Sequence, residues 1–114
     1  MNIEELILQI KKDPASIDFQ KVMETIDQHY TYTPVRFTNG DLVNEAGTNE
    51  GSCKIFTFGK LHGLSKEETL ACFGEYYRND VLGNPSGSDH ANIRNFMQHG
   101  WSGIEFDTLA LTLK

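Results

Sequence analysis

The feature that most constrains the fold is a helical segment that is apolar around more than half of its circumference. It begins at Ser65, and Glu68 completes a capping box three residues later. Its main stripe consists of apolar or small residues at three- and four-residue intervals, namely Leu70, Phe73, Gly74, Tyr77 and Val81. A helix of this kind is usually central, so the segment predicts a helical core. Gly74 lies on the stripe, where its missing side chain would let another element approach closely.

Other segments with helical periodicity predict a mainly helical chain. Asn2 is expected to cap the first helix, with Glu5 three residues later. The apolar face of this helix consists of Ile3, Leu6, Ile7 and Ile10. The stripe of the second helix consists of Phe19, Val22, Met23, Ile26 and Tyr30. Two more helices are expected to follow caps at Ser52 and at Ser88 or Asp89, which makes about five helices in all.

A small antiparallel sheet is predicted beside the helices. Asn39-Gly40 is a strong hairpin signal because both positions tolerate positive φ, so residues 35–38 are expected to pair with 41–44. The tail alternates apolar residues at Ile104, Phe106, Leu109, Leu111 and Leu113. We expect the tail to form one or two strands that join the hairpin. The predicted fold class is α+β, a mainly helical single domain over residues 1–114 with a small antiparallel β-sheet.

Length and charge exclude several classes of protein. A chain of 114 residues suits one domain with one core. The net charge is −6 and the 10 Lys and Arg residues are scattered, whereas nucleic acid binding requires clustered cations. No apolar run approaches the ~20 residues that a membrane helix needs. We therefore expect neither nucleic acid nor a membrane as a partner.

The spacing of cysteine and histidine gives no sign of a metal centre. Cys53 and Cys72 are too few for a secreted disulfide scaffold, and they are expected to be reduced thiols. The 4 histidines show no His-x-x-x-His spacing and the cysteines no Cys-x-x-Cys spacing. We expect no metal and no cofactor.

Cys53 is the sharpest candidate for chemistry. It lies in the stretch NEGSCKIFTFG, directly after Gly-Ser and before an apolar run. As a strand this stretch would have no clean face, whereas as a helix its apolar residues share one broad arc, so we favour a helix with Ser52 as its N-cap. Cys53 would then be the first helical residue. Free amide hydrogens and the helix dipole would lower the pKa of its thiol and favour a nucleophilic thiolate.

A catalytic thiolate also requires a base. His90 is the best candidate, with Asp89 and Asn92 beside it to orient the ring, and His62 is an alternative. Cys53 and His90 thus form a candidate catalytic pair for a small hydrolase or transferase. The structural alternative is commoner for both residues: a buried, inert cysteine and a hydrogen-bonded histidine near a helix cap.

Aromatic residues at the ends of elements allow two interpretations. Tyr30 and Tyr32, together with Trp101 after Gly100, could line a groove for a peptide or a small ligand. Alternatively they seal the ends of the core, which is the interpretation that we favour.

Three stretches of the chain resemble a known family. They are FTNGDLVNEAGTNEGSCKIFTFGKLHGLS, TLACFGEYYRNDVLGNPSGSDHANIRNFMQHGW and GIEF, which together run from Phe37 to Phe106. In these stretches the chain resembles the HopJ family, named for a type III secretion effector of plant-pathogenic bacteria. The resemblance implies a bacterial protein related to an effector delivered into host cells. It implies no established activity, cofactor or catalytic residue.

The leading functional prediction is a HopJ-like protein of undetermined biochemistry that acts as a non-catalytic binding or interaction module. Its expected partner is a protein that the sequence does not identify, and no oligomeric state is indicated. The alternative is the cysteine-dependent hydrolase or transferase. A helix beginning at Ile3 leaves little room for a loosely structured export segment, so the bacterial cytoplasm is the expected location. Secretion into a host cell is implied by the resemblance alone.

Overall fold

Five α-helices and five short strands make up the chain in the computed structural model, which describes residues 1–114. The helices are α1 (Ile3–Lys12), α2 (Phe19–His29), α3 (Glu50–Leu61), α4 (Lys66–Ala71) and α5 (Ala91–His99). The strands are β1 (Tyr30–Tyr32), β2 (Phe37–Asn39), β3 (Leu42–Asn44), β4 (Ile104–Phe106) and β5 (Leu111–Leu113). A π-helical segment, Tyr76–Val81, lies between α4 and α5. The prediction of a mainly helical α+β domain is confirmed.

The strands form two small antiparallel sheets. In one sheet β2 lies between β3 and β4, with Phe37 opposite both Asn44 and Phe106. The predicted pairing of the hairpin with the tail is therefore confirmed for β4. The last strand, β5, pairs instead with β1, where Tyr30 lies opposite Leu113. Tyr30 was expected on the second helix, but it leaves the helix to make this pairing.

The hairpin turn lies one residue later than the sequence suggested. Asn39 pairs with Leu42, so Gly40 and Asp41 form the two-residue loop. Gly40 has a φ of +62° and Asp41 does not have a positive φ, which is the pattern of a type II′ turn with glycine in first position. The Asn39 side chain is consequently free to enter the core, where it is fully buried.

Both predicted capping boxes are present. At α1, the Asn2 side chain accepts a hydrogen bond from the Glu5 amide and the Glu5 carboxylate accepts one from the Asn2 amide. Ser65 and Glu68 make the same two bonds at α4. Each box satisfies amide groups that the helix itself leaves unpaired, so it fixes the first residue of its helix.

The helix that runs through the core is α3. Its buried residues include Ile55, Phe56 and Phe58, none of which is accessible to solvent. The ring of Phe56 contacts three other rings, with centroid distances of 6.0 Å to Phe37, 5.6 Å to Phe73 and 4.9 Å to Phe96. This aromatic cluster joins the hairpin, the segment after α4 and helix α5 to α3. Burial of a phenylalanine of this kind is worth about 1.5–3 kcal/mol.

The segment after Ser65 does not form one long helix. Helix α4 ends at Ala71, and Gly74 then adopts a φ of +59° before the π-helical segment begins at Tyr76. A Cβ atom on Gly74 would lie 2.7 Å from the backbone nitrogen of Phe19. The predicted close approach at Gly74 is confirmed. The uninterrupted helix was a wrong prediction, because the positive φ of Gly74 does not fit a right-handed helix.

Candidate functional site

A cavity of about 420 Å³ lies between the N-terminal ends of α3 and α5. Asn49, Gly51 and Ser52 at the start of α3 form one polar side. The start of α5 contributes the other polar side from His90, Ala91 and Asn92. Aromatic side chains of Phe19, Phe73 and Tyr76 form the apolar wall. The cavity thus combines backbone donors with an apolar surface, as ligand sites commonly do.

Helix α3 presents unpaired backbone amides at this cavity. The first amide of the helix with an acceptor is that of Cys53, which donates to the Asn49 carbonyl over 3.0 Å. The amides of Glu50, Gly51 and Ser52 have no protein acceptor. The cap residue, Asn49, makes no side-chain capping bond. These donors are free to bind a ligand or water.

Helix α5 begins in the same way. The Arg94 amide donates to the His90 carbonyl over 3.1 Å, and the amides of Ala91, Asn92 and Ile93 have no protein acceptor. The cap residue, His90, makes no side-chain capping bond. The cavity is therefore bordered by two uncapped helix N-termini.

The predicted cap residues of α3 and α5 were wrong. Ser52 was expected to cap α3, and Ser88 or Asp89 to cap α5. The residues in those roles are Asn49 and His90, with φ of +49° and +52°. Neither side chain makes a capping bond, and each contacts another side chain: Asn49 Nδ2 donates to Asn44 Oδ1 over 2.7 Å, and His90 Nε2 lies 2.9 Å from Asp80 Oδ2.

A buried asparagine cluster, Asn39, Asn44 and Asn92, holds the hairpin against the start of α5. Asn39 Nδ2 donates to both the backbone and the side-chain oxygen of Asn92, over 2.8 and 3.0 Å. Asn92 and Asn44 exchange two further bonds of 2.9 and 3.2 Å. The side chains are at most 6 % exposed. Each side-chain amide nitrogen of the cluster has an acceptor, whereas Asn39 Oδ1 is buried without a partner. Because an unpaired buried donor is costly, these bonds hold α5 in position relative to the hairpin.

The aromatic wall of the cavity is continuous with His90. The rings of Phe19 and Tyr76 make an edge-to-face contact with centroids 5.0 Å apart. Tyr76 and His90 lie 5.3 Å apart with their planes tilted by 36°. A flat apolar group in the cavity would find ring surfaces on this side.

Acidic residues lie beside His90 at the edge of the cavity. His90 Nε2 is 2.9 Å from Asp80 and 3.9 Å from Asp89. Arg94 Nη2 donates to Asp89 Oδ1 over 2.6 Å. This guanidinium holds the pKa of the Asp89 carboxyl below its usual range. The group of Asp80, Asp89 and His90 places three donor atoms within 4.8 Å of one another.

Cys53 lies outside the cavity and is buried. It is the fourth residue of α3 and not the first, its amide is already paired, and its side chain is only 1 % exposed. Burial raises the pKa of the Cys53 thiol, although the neighbouring Tyr32 and Thr57 side chains act in the opposite direction. The predicted lowering of this pKa is therefore wrong, because the thiol faces the core and not the free amides.

Cys53 and His90 have different neighbours in the structure. Cys53 lies beside Tyr32 and Thr57, whereas His90 contacts Asp80 and Tyr76. The alternative base, His62, lies 2.6 Å from the Tyr30 hydroxyl, and burial lowers the pKa of its ring. Catalysis by Cys53 and His90 stays a prediction, and the burial of the thiol argues against it.

Alkylation provides a test of this catalytic prediction. We expect iodoacetamide to modify both cysteines slowly in the folded protein at pH 6–8, because burial raises the pKa of Cys53 and raises that of Cys72 to about 12. The rate for each thiol, measured by mass spectrometry, should be on the order of 100-fold below that of the same protein in denaturant. Rapid modification of Cys53 at pH 6 would support the enzyme instead.

The aromatic residues at the element ends seal the core. Tyr30 is 4 % exposed, and the ring of Trp101 packs edge-on against Phe96 with its Nε1 donating 2.9 Å to the Leu64 carbonyl. The Tyr32 hydroxyl is buried. These contacts support the interpretation that we favoured, with Tyr30 buried and with Tyr32 and Trp101 half-buried.

The fold and the cavity define a small α+β domain with a ligand-sized pocket between two of its helix N-termini. No helix in it combines the length and the apolar character required to cross a membrane. The sequence profile of the HopJ type III effector protein family matches residues 3–111. The chain therefore belongs to the HopJ type III effector protein family, which confirms the resemblance and extends it towards both ends.

Comparison with solved structures supports the same fold. The chain is similar to VPA0580, a protein of unknown function whose crystal structure is known, with 51% sequence identity and a TM-score of 0.98. The match covers 100% of this chain and 95% of that chain. A search of curated proteins found no match.

Proposed function

We propose that the protein is a non-catalytic binding module whose cavity takes a small molecule with an anionic group on a flat, apolar body. The observation that carries this proposal is the opening of two uncapped helix N-termini onto one cavity with an aromatic wall. The names of the HopJ family and of VPA0580 mention no ligand, so the proposal depends on the cavity of this chain alone.

The anionic group is indicated by the donors at the two helix ends. Unpaired amides and the positive end of the helix dipole favour a carboxylate or a phosphate, by about 0.3–1 kcal/mol per helix. The residues that line the cavity include no Lys, Arg, Asp or Glu. The negative charge of Glu50 contributes to the raised pKa of Tyr32 and of Cys53, and Glu50 is not part of the lining. Selectivity for an anion would thus come from the backbone.

The flat body is indicated by the opposite wall. Phe19 and Tyr76 are only half-buried, although their rings contact each other. Covering such ring surface contributes about 25 cal/mol per Å² of apolar area removed from water. The volume of about 420 Å³ lies in the range of roughly 300–1,000 Å³ that is typical of small-molecule sites.

Binding is favoured over catalysis because the cavity lacks an activated nucleophile. The Cys53 thiol is not part of the lining, and burial raises its pKa. The Ser52 hydroxyl does line the cavity, but no hydrogen bond joins it to the His90 ring. A bound anion would therefore meet donors without a group to attack it.

Titration with phenyl phosphate, benzoate and benzyl alcohol tests the proposal. We expect saturable binding of the two anions and at least about tenfold weaker binding of the neutral alcohol, since 1.4 kcal/mol corresponds to a factor of ten. In ¹⁵N-labelled protein, the amide resonances of Gly51, Ser52 and Ala91 should shift on titration. Equal affinities for all three probes, or shifts confined to other residues, would refute the proposal.

A charge placed in the cavity gives a matched control. Ser52→Asp adds a carboxylate among the free amides, so phenyl phosphate should bind about tenfold more weakly or not at all. The fold should persist, because an acidic residue is favourable in the first turn of a helix. Thr108→Asp adds the same charge at an exposed loop position without a side-chain hydrogen bond, and it should leave binding unchanged.

A further inference from the structure

We propose that Asp80, Asp89 and His90 bind a divalent transition-metal ion at the edge of the cavity. Each offers one donor atom, and these atoms lie within 4.8 Å of one another. The descriptions of the family and of the similar protein name no metal. The proposal goes beyond the anion-binding function and does not depend on it.

The spacing of the donor atoms suits a single ion. His90 Nε2 lies 2.9 Å from Asp80 Oδ2 and 3.9 Å from Asp89 Oδ2. An ion with bonds of about 2.1 Å separates neighbouring ligands by about 3.0 Å at right angles and about 3.4 Å in a tetrahedron. The two distances from His90 bracket these values, and the two carboxylate oxygens lie within 4.8 Å of each other. Because Asp80 and Asp89 are exposed, their side chains can rotate to close around one ion.

Asp89 is oriented for this role by Arg94. The guanidinium donates to Asp89 Oδ1 over 2.6 Å and to the Asp89 carbonyl over 2.6 Å. The other carboxylate oxygen, Oδ2, is the one nearest to His90. Arg94 also donates to the Asn84 carbonyl over 3.0 Å, so it holds the loop that carries Asp89. Arg94 acts here as a positioning residue and is not itself a ligand.

The local charge also favours a cation. Asp80 has no Lys or Arg partner, and its only ion-pair contact is His90. Arg94 compensates the charge of Asp89 alone. The two carboxylates are thus compensated by one guanidinium, and a divalent ion would balance the remaining negative charge. A positive centre at this edge would also face any anion held in the cavity, because His90 lines both sites.

The donor set indicates the class of metal. One imidazole nitrogen and two carboxylate oxygens suit Zn²⁺ or Mn²⁺, whereas Mg²⁺ and Ca²⁺ prefer oxygen ligands alone. Three protein ligands leave at least one coordination position free, as in sites where zinc binds water or an exogenous ligand.

Calorimetric titration of the chelator-treated full chain with ZnCl₂, MnCl₂ and MgCl₂ tests the proposal. We expect one site, with Zn²⁺ and Mn²⁺ binding at least about tenfold more tightly than Mg²⁺. His90→Gln and Asp80→Asn should each weaken Zn²⁺ binding about tenfold or more. His29→Gln and Asp107→Asn, which change the same residue types outside the group, should leave it within about twofold of the wild type.

Paramagnetic NMR on the unmodified protein is a second test of the metal site that does not rely on variants. Substoichiometric Mn²⁺ should broaden the ring resonances of His90 before those of His29 and His99. Two results would overturn the proposal: no saturable binding of Zn²⁺ or Mn²⁺ at millimolar concentration, or binding that His90→Gln and Asp80→Asn leave unchanged. Circular dichroism of both variants checks that any loss of binding occurs in folded protein.

Discussion

Gly74→Ala will lower the free energy of unfolding by about 3 kcal/mol or more. The residue has a φ of +59°, which costs an L-amino acid about 1–2 kcal/mol. The added Cβ would also lie 2.7 Å from the Phe19 nitrogen and 3.2 Å from the Ile17 carbonyl oxygen. Both contacts are with backbone, which cannot rotate away as a side chain would, so overpacking adds about 1–3 kcal/mol.

Gly63→Ala is the matched control for this prediction. Gly63 has a φ of +63°, and a Cβ atom there would meet nothing within 4 Å. Gly63→Ala should therefore lower the free energy of unfolding only through its backbone conformation, by about 1 kcal/mol. Urea unfolding followed by the fluorescence of Trp101 measures both variants. Equal losses of stability would show that the close approach of α2 to Gly74 does not contribute.

Asn92→Ala is expected to destabilise the protein by about 2–4 kcal/mol. The change removes the bonds between Asn92 and Asn44 and leaves the Asn44 Nδ2 group buried without an acceptor. An unpaired buried donor costs about 1–3 kcal/mol, and the lost hydrogen bonds add about 1 kcal/mol. Helix α5 would then be held less firmly against the hairpin, so the cavity should also bind its probes more weakly.

Asn95→Ala is the control that shows whether replacing any asparagine of α5 destabilises the protein to the same extent. Asn95 lies one turn further along α5, is only half-buried, and donates to the Asn39 carbonyl over 3.0 Å. The change removes this bond and a longer one to Asp41, and alanine favours the helix, so the cost should be about 1 kcal/mol. If Asn92→Ala costs no more than Asn95→Ala in urea unfolding, the asparagine cluster does not hold α5 in place.

These two sites also connect stability to the proposed function. Gly74 allows the start of α2 to approach closely, and that approach positions Phe19 in the aromatic wall. Asn92 belongs to both the asparagine cluster and the cavity lining. The same contacts that hold the elements together therefore shape the cavity, and milder variants at these positions should change ligand affinity as well as stability.

Local signals were sufficient where a side chain acts within its own turn. The capping boxes at Asn2 and Ser65 were predicted correctly because their bonds join residues three positions apart. Gly63 follows the last turn of α3 and has the positive φ of a glycine that ends a helix, which is likewise a local property. Most residues on the predicted helix stripes are buried, because periodicity reflects one-sided burial.

Those signals failed where a cap residue is bound by a distant partner. Ser52 looked like the natural cap of α3, but the helix begins earlier because Asn49 is held by Asn44 of the hairpin. This shift moved Cys53 from the predicted helix end into the core. Asparagine is frequent around the hairpin and near the start of α5, which was the one sequence feature that pointed to the asparagine cluster. The spacing of these residues along the chain did not indicate that they contact one another.

The sequence by itself determined the helix-forming segments, the fold class and the membership of the HopJ family, because periodicity, capping and motif strings are local properties. Only the tertiary structure decided where the helices begin, which strands pair, and that two helix N-termini share one cavity. Those features depend on contacts such as Asn39 with Asn92, which lie far apart in the chain. Pairing of buried polar groups across such distances selects among the many local arrangements that the sequence allows.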